Sequence, residues 1–126
     1  MPGILIVEDE KTFREVLRIS LLRRKYTVYE AADGKEAITH FKPALIDLVI
    51  TDLIMPEEEG LNVIIKLKEI KPSVRIIAIS GGGIAGPGSY LEVASALGAD
   101  AVFSKPFPIN KLLAAVEDLL KVEQER

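Results

Sequence analysis

The sequence predicts an α/β domain in which strand and helix alternate five times, giving a parallel sheet with helices on both faces. Three observations carry that expectation. Runs such as Ile4-Leu5-Ile6-Val7 and Leu48-Val49-Ile50 are β-branched or aliphatic without polar alternation, as in strands buried on both faces. Between such runs lie stretches with apolar residues at helical spacing. The connections are short, and strict alternation with short connections implies right-handed parallel crossovers.

The first strand, at 4–7, leads into Glu8-Asp9-Glu10, then a helix from Lys11 to Lys25 with an apolar stripe of Phe13, Val16, Leu17, Ser20 and Leu21. Tyr26 to Ala31 reads as a second strand, and Asp33-Gly34-Lys35-Glu36 has the spacing of a capping box that opens a helix from about Gly34 to Phe41, stopped by Pro43. The third strand delivers Asp52 to its end before Pro56 and Gly60 turn the chain. Leu61, Ile64, Ile65 and Lys68 mark a third helix ending at Lys71-Pro72. Val74 to Ser80 is the fourth strand, and the glycine-dense segment 81–88 after it demands a loop. Ser89-Tyr90-Leu91-Glu92 then opens a helix to about Leu97, with Gly98 as its stop. Ala101 to Ser104 is a short fifth strand, and Leu112, Leu113, Val116, Leu119 and Leu120 mark the final helix.

At 126 residues the chain is expected to form one domain, 1–126, able to bury about two thirds of its unfolded surface without staples. Lys and Arg number 16 against 19 Asp and Glu, a net charge of -3, so the basic excess of a free-standing nucleic-acid binder is absent. With no cysteine, disulfides, thiolate metal sites and cysteine nucleophiles are excluded. The single histidine, His40, falls at an expected exposed helix end, as a solvated residue. No basic-then-apolar leader and no apolar run of membrane-spanning length occurs, which leads to the expectation of a cytoplasmic protein with no membrane role.

In open parallel sheets, ligands bind outside the carboxyl ends of the strands. The strand ends here present Glu8 and Asp9, then Asp52, Ser80 and Lys105, all on one edge. Each has an ordinary structural use: acids at a helix N-terminus, an Asp or Ser in a turn, a solvated Lys. Their convergence is harder to dismiss. Three carboxylates repel unless a cation sits among them, and hard oxygens without His or Cys favour magnesium over zinc. A carboxylate nucleophile can form an aspartyl phosphate, for which a metal and hydrogen-bond donors neutralise the oxygens. Lys105 supplies charge and Ser80 a hydroxyl.

The residues Ile-Val-Glu-Asp-Glu at 6–10, Asp-Leu-Ile-Met-Pro at 52–56, Ser80, Gly98-Ala99-Asp100 and Lys-Pro-Phe at 105–107 together resemble the receiver domain of two-component response regulators. The resemblance covers the whole chain. It implies a flavodoxin-like sheet of order 2-1-3-4-5, with Asp52 as phosphoacceptor. It further implies that Asp9, Asp52 and the backbone carbonyl of Ile54 bind Mg2+, while Glu8 acts mainly through bound water. Ser80 would turn toward the phosphoryl group, Lys105 would pair with it, and Phe103 would be an aromatic switch. Lys105-Pro106 would be cis. A phosphoryl group brings nearly two negative charges, and the change should appear on the face made by the fourth helix, fifth strand and fifth helix. The implied partners are a sensor histidine kinase or histidine phosphotransfer protein and a downstream protein target, with a phosphorylation-dependent dimer possible. Such a domain catalyses only its own phosphorylation and dephosphorylation.

The segment from Ser80 to Lys105 is a few residues longer than is usual in that family, with the surplus in the glycine-rich loop. Gly81, Gly83 and Gly86 match G-x-G-x-x-G, but Pro87-Gly88 intrudes before the helix, the match comes after the fourth strand, and Pro87 stands where a P-loop needs Lys. A haloacid-dehalogenase-type phosphatase would also use a strand-end Asp with magnesium; its second Asp would stand at residue 54, which is Ile54. A flavodoxin would need a Ser, Thr and Gly loop where Glu8-Asp9 stands. A degenerate receiver serving as a protein-binding module is the remaining alternative. In receivers the side chains at the positions of Ile54 and Gly82 influence hydrolytic water, and the apolar Ile54 predicts slow loss of the phosphoryl group. A charged tail closes the sequence, and a stand-alone receiver is expected over a piece of a longer regulator.

Overall fold

Residues 2–53, 60–81 and 90–124 are described in the computed structural model. Among these described residues, ten elements alternate as the residue pattern requires: β1 (Gly3–Val7), α1 (Lys11–Arg23), β2 (Thr27–Ala31), α2 (Gly34–His40), β3 (Leu48–Asp52), α3 (Gly60–Ile70), β4 (Arg75–Ser80), α4 (Tyr90–Ala96), β5 (Ala101–Ser104) and α5 (Ile109–Gln124). The five strands form one parallel sheet in the order β2-β1-β3-β4-β5.

Strand alternation divides the core in two. Leu5, Val7, Val49, Ile76 and Ala78 face one side, where Ala37 of α2, Val63, Ile64 and Leu67 of α3 and Ala94 of α4 cover them. Ile4, Ile6, Leu48, Ile50, Ile77 and Ile79 face the other, under Leu17 and Leu21 of α1 and Leu112, Leu113, Val116 and Leu120 of α5. Burying a large aliphatic side chain is worth roughly 1.5 to 3 kcal/mol, so the two apolar faces hold the sheet between its helix layers.

Two expected stripes shift when seen in place. Val16 is 46% exposed and Ile65 40% exposed. Val16 precedes the buried Leu17 and Ile65 comes after the buried Ile64, each about 100° round its helix from that neighbour. The apolar face of α3 is therefore Val63, Ile64 and Leu67, with Leu61 at its margin, rather than the row containing Ile65 and Lys68.

Local chemistry fixes the element ends. The Asp33 carboxylate accepts the Glu36 N–H at 2.8 Å, capping α2 as its sequence suggests, and Glu10 does the same for α1 by accepting the Phe13 N–H at 2.7 Å. Gly98 lies at φ 116°, a conformation that side-chain-bearing residues rarely adopt. Asp100, two residues on, accepts the Ile76 N–H at 2.8 Å and returns its own N–H to the Ile76 carbonyl at 2.7 Å, clamping the turn before β5 onto β4. His40 is exposed at the last position of α2, as expected.

Gly60 donates its N–H to the Leu53 carbonyl at 3.1 Å, which brings the start of α3 back against the end of β3. A Cβ on Gly60 would meet the Asp52 carbonyl oxygen and come within 2.5 Å of the Leu53 Cα. At the opposite edge of the sheet, Pro2 and Tyr26 line one cavity with Leu120 and Lys121 of α5, a space of about 520 Å³. Ile54, Met55 and Pro56, residues 82–88 of the glycine-rich loop and the Ser89 cap lie outside the described residues.

Candidate functional site

The sheet order sets β1 beside β3 and β3 beside β4, so their carboxyl ends are neighbours. Val7 pairs with Thr51 and Asp52 with Ile79, while Ser80 pairs with Ser104. Residues just beyond these positions are brought to one edge by register alone.

Glu8 is 2% exposed and Asp52 6% exposed, whereas Asp9 is exposed to solvent. Each of the three offers a carboxylate oxygen, and those oxygens lie within 4.8 Å of one another. Lys105 enters from the end of β5, where its backbone N–H donates to the Ser80 carbonyl at 2.8 Å. Its Nζ lies 3.0 Å from Glu8 Oε1 and 3.0 Å from Asp52 Oδ2. The Lys105–Pro106 peptide bond is cis.

Glu8 is tied down along its whole length. Its N–H donates to the Ala31 carbonyl at 3.1 Å, its carbonyl accepts from Arg14 Nη1 at 2.8 Å, and its Oε2 accepts the Glu10 N–H at 3.0 Å. Burial pushes its carboxyl up to about 7; the Glu10 and Lys105 bonds oppose that rise, and the Asp52 charge adds to it. Burial pulls Lys105 down, yet its bonds to Glu8 and Asp52 outweigh this and hold the ammonium above the usual lysine value. The two directions are consistent, because one ammonium serves two carboxylates and Glu8 is the more deeply buried of them. When all three acids are ionised, three negative charges against one positive leave an excess of two.

That donor set fits a hard divalent cation. Carboxylate oxygens with no nitrogen or sulfur donor suit magnesium or calcium, and the surplus charge is what such an ion would balance. Ser80, at the end of β4, is buried and stands one residue beyond the partner of Asp52, which places a hydroxyl-bearing residue on the same edge. Phe103 on β5 is partly buried against the α1–α5 side of the core.

The structure thus brings Glu8, Asp9, Asp52 and Lys105 together, with Ser80 alongside and Phe103 one strand position before Ser104. Ile54 is outside the described residues. One neighbour of the site was not anticipated: the Phe13 ring on α1, whose centroid is 4.4 Å from Lys105 Nζ. In the sequence Phe13 reads only as the first member of a core stripe.

A family model described as "Response regulator receiver domain" matches residues 4–117. The sensor kinase CckA of Brucella abortus is 35% identical over 125 residues, covering 94% of this chain and 12% of that protein. Other curated relatives are transcriptional regulatory proteins, of whose length the chain spans about half. A response regulator receiver domain protein from Clostridium thermocellum superposes with a TM-score of 0.89 at 25% identity, covering 98% of each chain. The response regulator TrrA of Thermotoga maritima, solved in complex with Mg2+ and BeF, superposes with a TM-score of 0.80 at 32% identity, covering 94% of this chain and 99% of that one.

Proposed function

The chain belongs to the response regulator receiver domain family of two-component systems, and from that premise we propose that Asp52 is its phosphoacceptor. The observation that carries the proposal is the Lys105 ammonium, held 3.0 Å from the Asp52 carboxylate at the carboxyl edge of the sheet. An Asp52 oxygen forms the bond to phosphorus as the bond from phosphorus to the donor's imidazole nitrogen breaks, leaving an acyl phosphate. Lys105 then turns from the carboxylate to the new phosphoryl oxygens, and the Ser80 hydroxyl donates to another. Its own phosphorylation and dephosphorylation are the only reactions assigned to the chain.

Mg2+ would be held by Asp9, Asp52 and the backbone carbonyl of Ile54, with Glu8 acting through bound water. When bound, the ion neutralises charge between the carboxylates and the phosphoryl oxygens. The protein's part is to keep the carboxylates in place, which the backbone bonds of Glu8 and the burial of Asp52 accomplish.

The phosphoryl donor is a sensor histidine kinase or a histidine phosphotransfer protein in the cytoplasm. The output is a change on the α4-β5-α5 face, read by a protein target or by a second copy of the chain, with Phe103 turning as Ser80 moves. Val93 on α4 and Val102 on β5 are exposed, giving that face apolar contacts to offer. Residues 1–126 act as one receiver domain, and the apolar Ile54 makes the phosphoryl group long-lived. No helix among the described residues is long and apolar enough to cross a membrane. A haloacid-dehalogenase-type phosphatase is not favoured, since the receiver family match spans residues 4–117.

Intact mass after incubation with acetyl phosphate and Mg2+ tests the reading. One Mg2+-dependent phosphoryl adduct, lost in Asp52→Asn, is the expected result. No adduct, together with no spectral response to beryllofluoride, would leave a degenerate receiver that serves as a protein-binding module.

A further inference from the structure

We propose that Phe13 is a positioning residue for Lys105, holding the ammonium at Asp52 through the face of its ring. The inference rests on the reading of Asp52 as the phosphorylated group and adds a residue to its machinery.

The Lys105 ammonium has three N–H donors on a flexible stem. Glu8 and Asp52 accept two of them, each at 3.0 Å. The Phe13 ring takes the remaining side, with its centroid 4.4 Å from Nζ, inside the range over which a ring quadrupole attracts a cation. Without an aromatic face there, the third N–H would turn to water in the adjoining cavity of about 510 Å³, lined by Phe13, Gly81, Lys105, Pro106 and Phe107. A hydrated ammonium on a mobile stem is spread over more positions than one enclosed on three sides.

The ring is itself held. Phe13 is the third residue of α1, and Glu10 caps its backbone N–H at 2.7 Å. Phe107 meets it edge to face, with centroids 6.0 Å apart and planes at 83°, and Phe107 in turn lies 5.3 Å from Phe103. Such pairs favour one ring geometry. The ammonium, Phe13, Phe107 and Phe103 therefore form one contiguous series that connects the acidic site to β5.

An aliphatic side chain could fill the same space but carries no quadrupole, so electronic and steric roles separate experimentally. The test measures the rate of phosphorylation by acetyl phosphate with saturating Mg2+ for native protein, Phe13→Leu, Phe13→Tyr, and protein carrying mono-, di- and trifluorophenylalanine at position 13. Fluorination drains the ring face while nearly keeping its shape. A partly exposed cation–π contact corresponds to about a threefold effect on such a rate. Expected are a roughly threefold slower Phe13→Leu, a Phe13→Tyr close to native, and a stepwise fall along the fluorinated series. Because Mg2+ is saturating for every variant, any change in its affinity as the ammonium loosens does not enter the measured rate. A flat fluorinated series would overturn the proposal even if Phe13→Leu is slow or misfolded, because the ring would then serve only as packing. Native protein that takes no label would overturn the phosphoacceptor reading, and this proposal with it.

Discussion

Lys105 Nζ and Glu8 Oε1 meet at 3.0 Å across 97 positions of sequence, joining the end of the last strand to the end of the first. The same ammonium contacts Asp52, so it occupies the charge position that a divalent cation would share. Lysine and metal compete for the same negative field, and several consequences are measurable.

Lys105→Ala should bind Mg2+ more tightly, by about tenfold, because one positive charge a few ångströms away is removed; tenfold corresponds to about 1.4 kcal/mol, within the interaction of charges at that range in a partly buried site. Titration calorimetry at fixed ionic strength checks it. Equal or weaker binding would show that the ammonium does not oppose the metal.

Glu8→Gln should weaken Mg2+ binding by about tenfold while changing unfolding free energy by no more than about 1 kcal/mol. The buried carboxyl is already costly, with its pKa pushed up to about 7 chiefly by burial, and Lys105 retains Asp52 as partner. Urea unfolding and calorimetry on one preparation would separate the two effects.

Gly60→Ala should destabilise the fold by about 3 kcal/mol, since the added carbon meets the Asp52 carbonyl oxygen and the Leu53 Cα. Neither neighbour is a side chain that can rotate away. A chemical-denaturation midpoint equal to that of the native protein would contradict this.

Asp100→Ala should cost about 2 kcal/mol, the penalty for stranding the N–H of the fully buried Ile76. Asp100→Asn keeps an acceptor and should recover most of the loss. Hydrogen exchange at Ile76 reports the same contact directly.

Tyr26→Phe should flatten the alkaline limb of the stability profile. Burial, then the Glu117 carboxylate, raises the Tyr26 phenol above its ordinary value. Between the unfolded pKa of about 10 and the higher folded one, the native state holds more protons, so stability falls as pH rises. Urea midpoints at pH 8 and pH 11 should therefore converge in the variant relative to native protein.

The five-fold alternation and the acidic strand ends were legible because they depend on short-range patterns, whereas the sheet order came only through the family resemblance. An apolar run such as Leu48-Val49-Ile50, bounded by turn residues, has little choice but a buried strand, and the residue that closes a strand must emerge at its end. Asp33 and Gly98 declared their roles through cap and stop chemistry that is local to the chain. The facing of single helix residues was harder. Val16 and Ile65 are as apolar as their buried neighbours, and only the packing angle of each helix decides which side of a stripe meets the sheet.

Long-range partners were harder still. Glu8 reads as a metal-facing acid from its position, and its bond to Lys105 depends on where β5 delivers a flexible stem. Phe13 carries no polar atom to mark it, so its ring beneath an ammonium 92 positions away is visible only in the folded chain. Asp100 resembled a family signature in the sequence, and its reason, a clamp on the Ile76 amide, appeared with the fold.

Pro2 and Lys121 line one cavity on the edge of the sheet away from the carboxylates. Both ends of the path from β1 to α5 thus converge there. The two ends can be joined by a short linker and the chain reopened at another surface turn, for instance at Lys71–Ser73 between α3 and β4. Such a circular permutant would alter the order in which the strands are synthesised, but every strand pairing and the Glu8–Asp52–Lys105 geometry would be retained. The architecture makes the identity of the first residue a matter of connectivity, separable from the chemistry at the far edge.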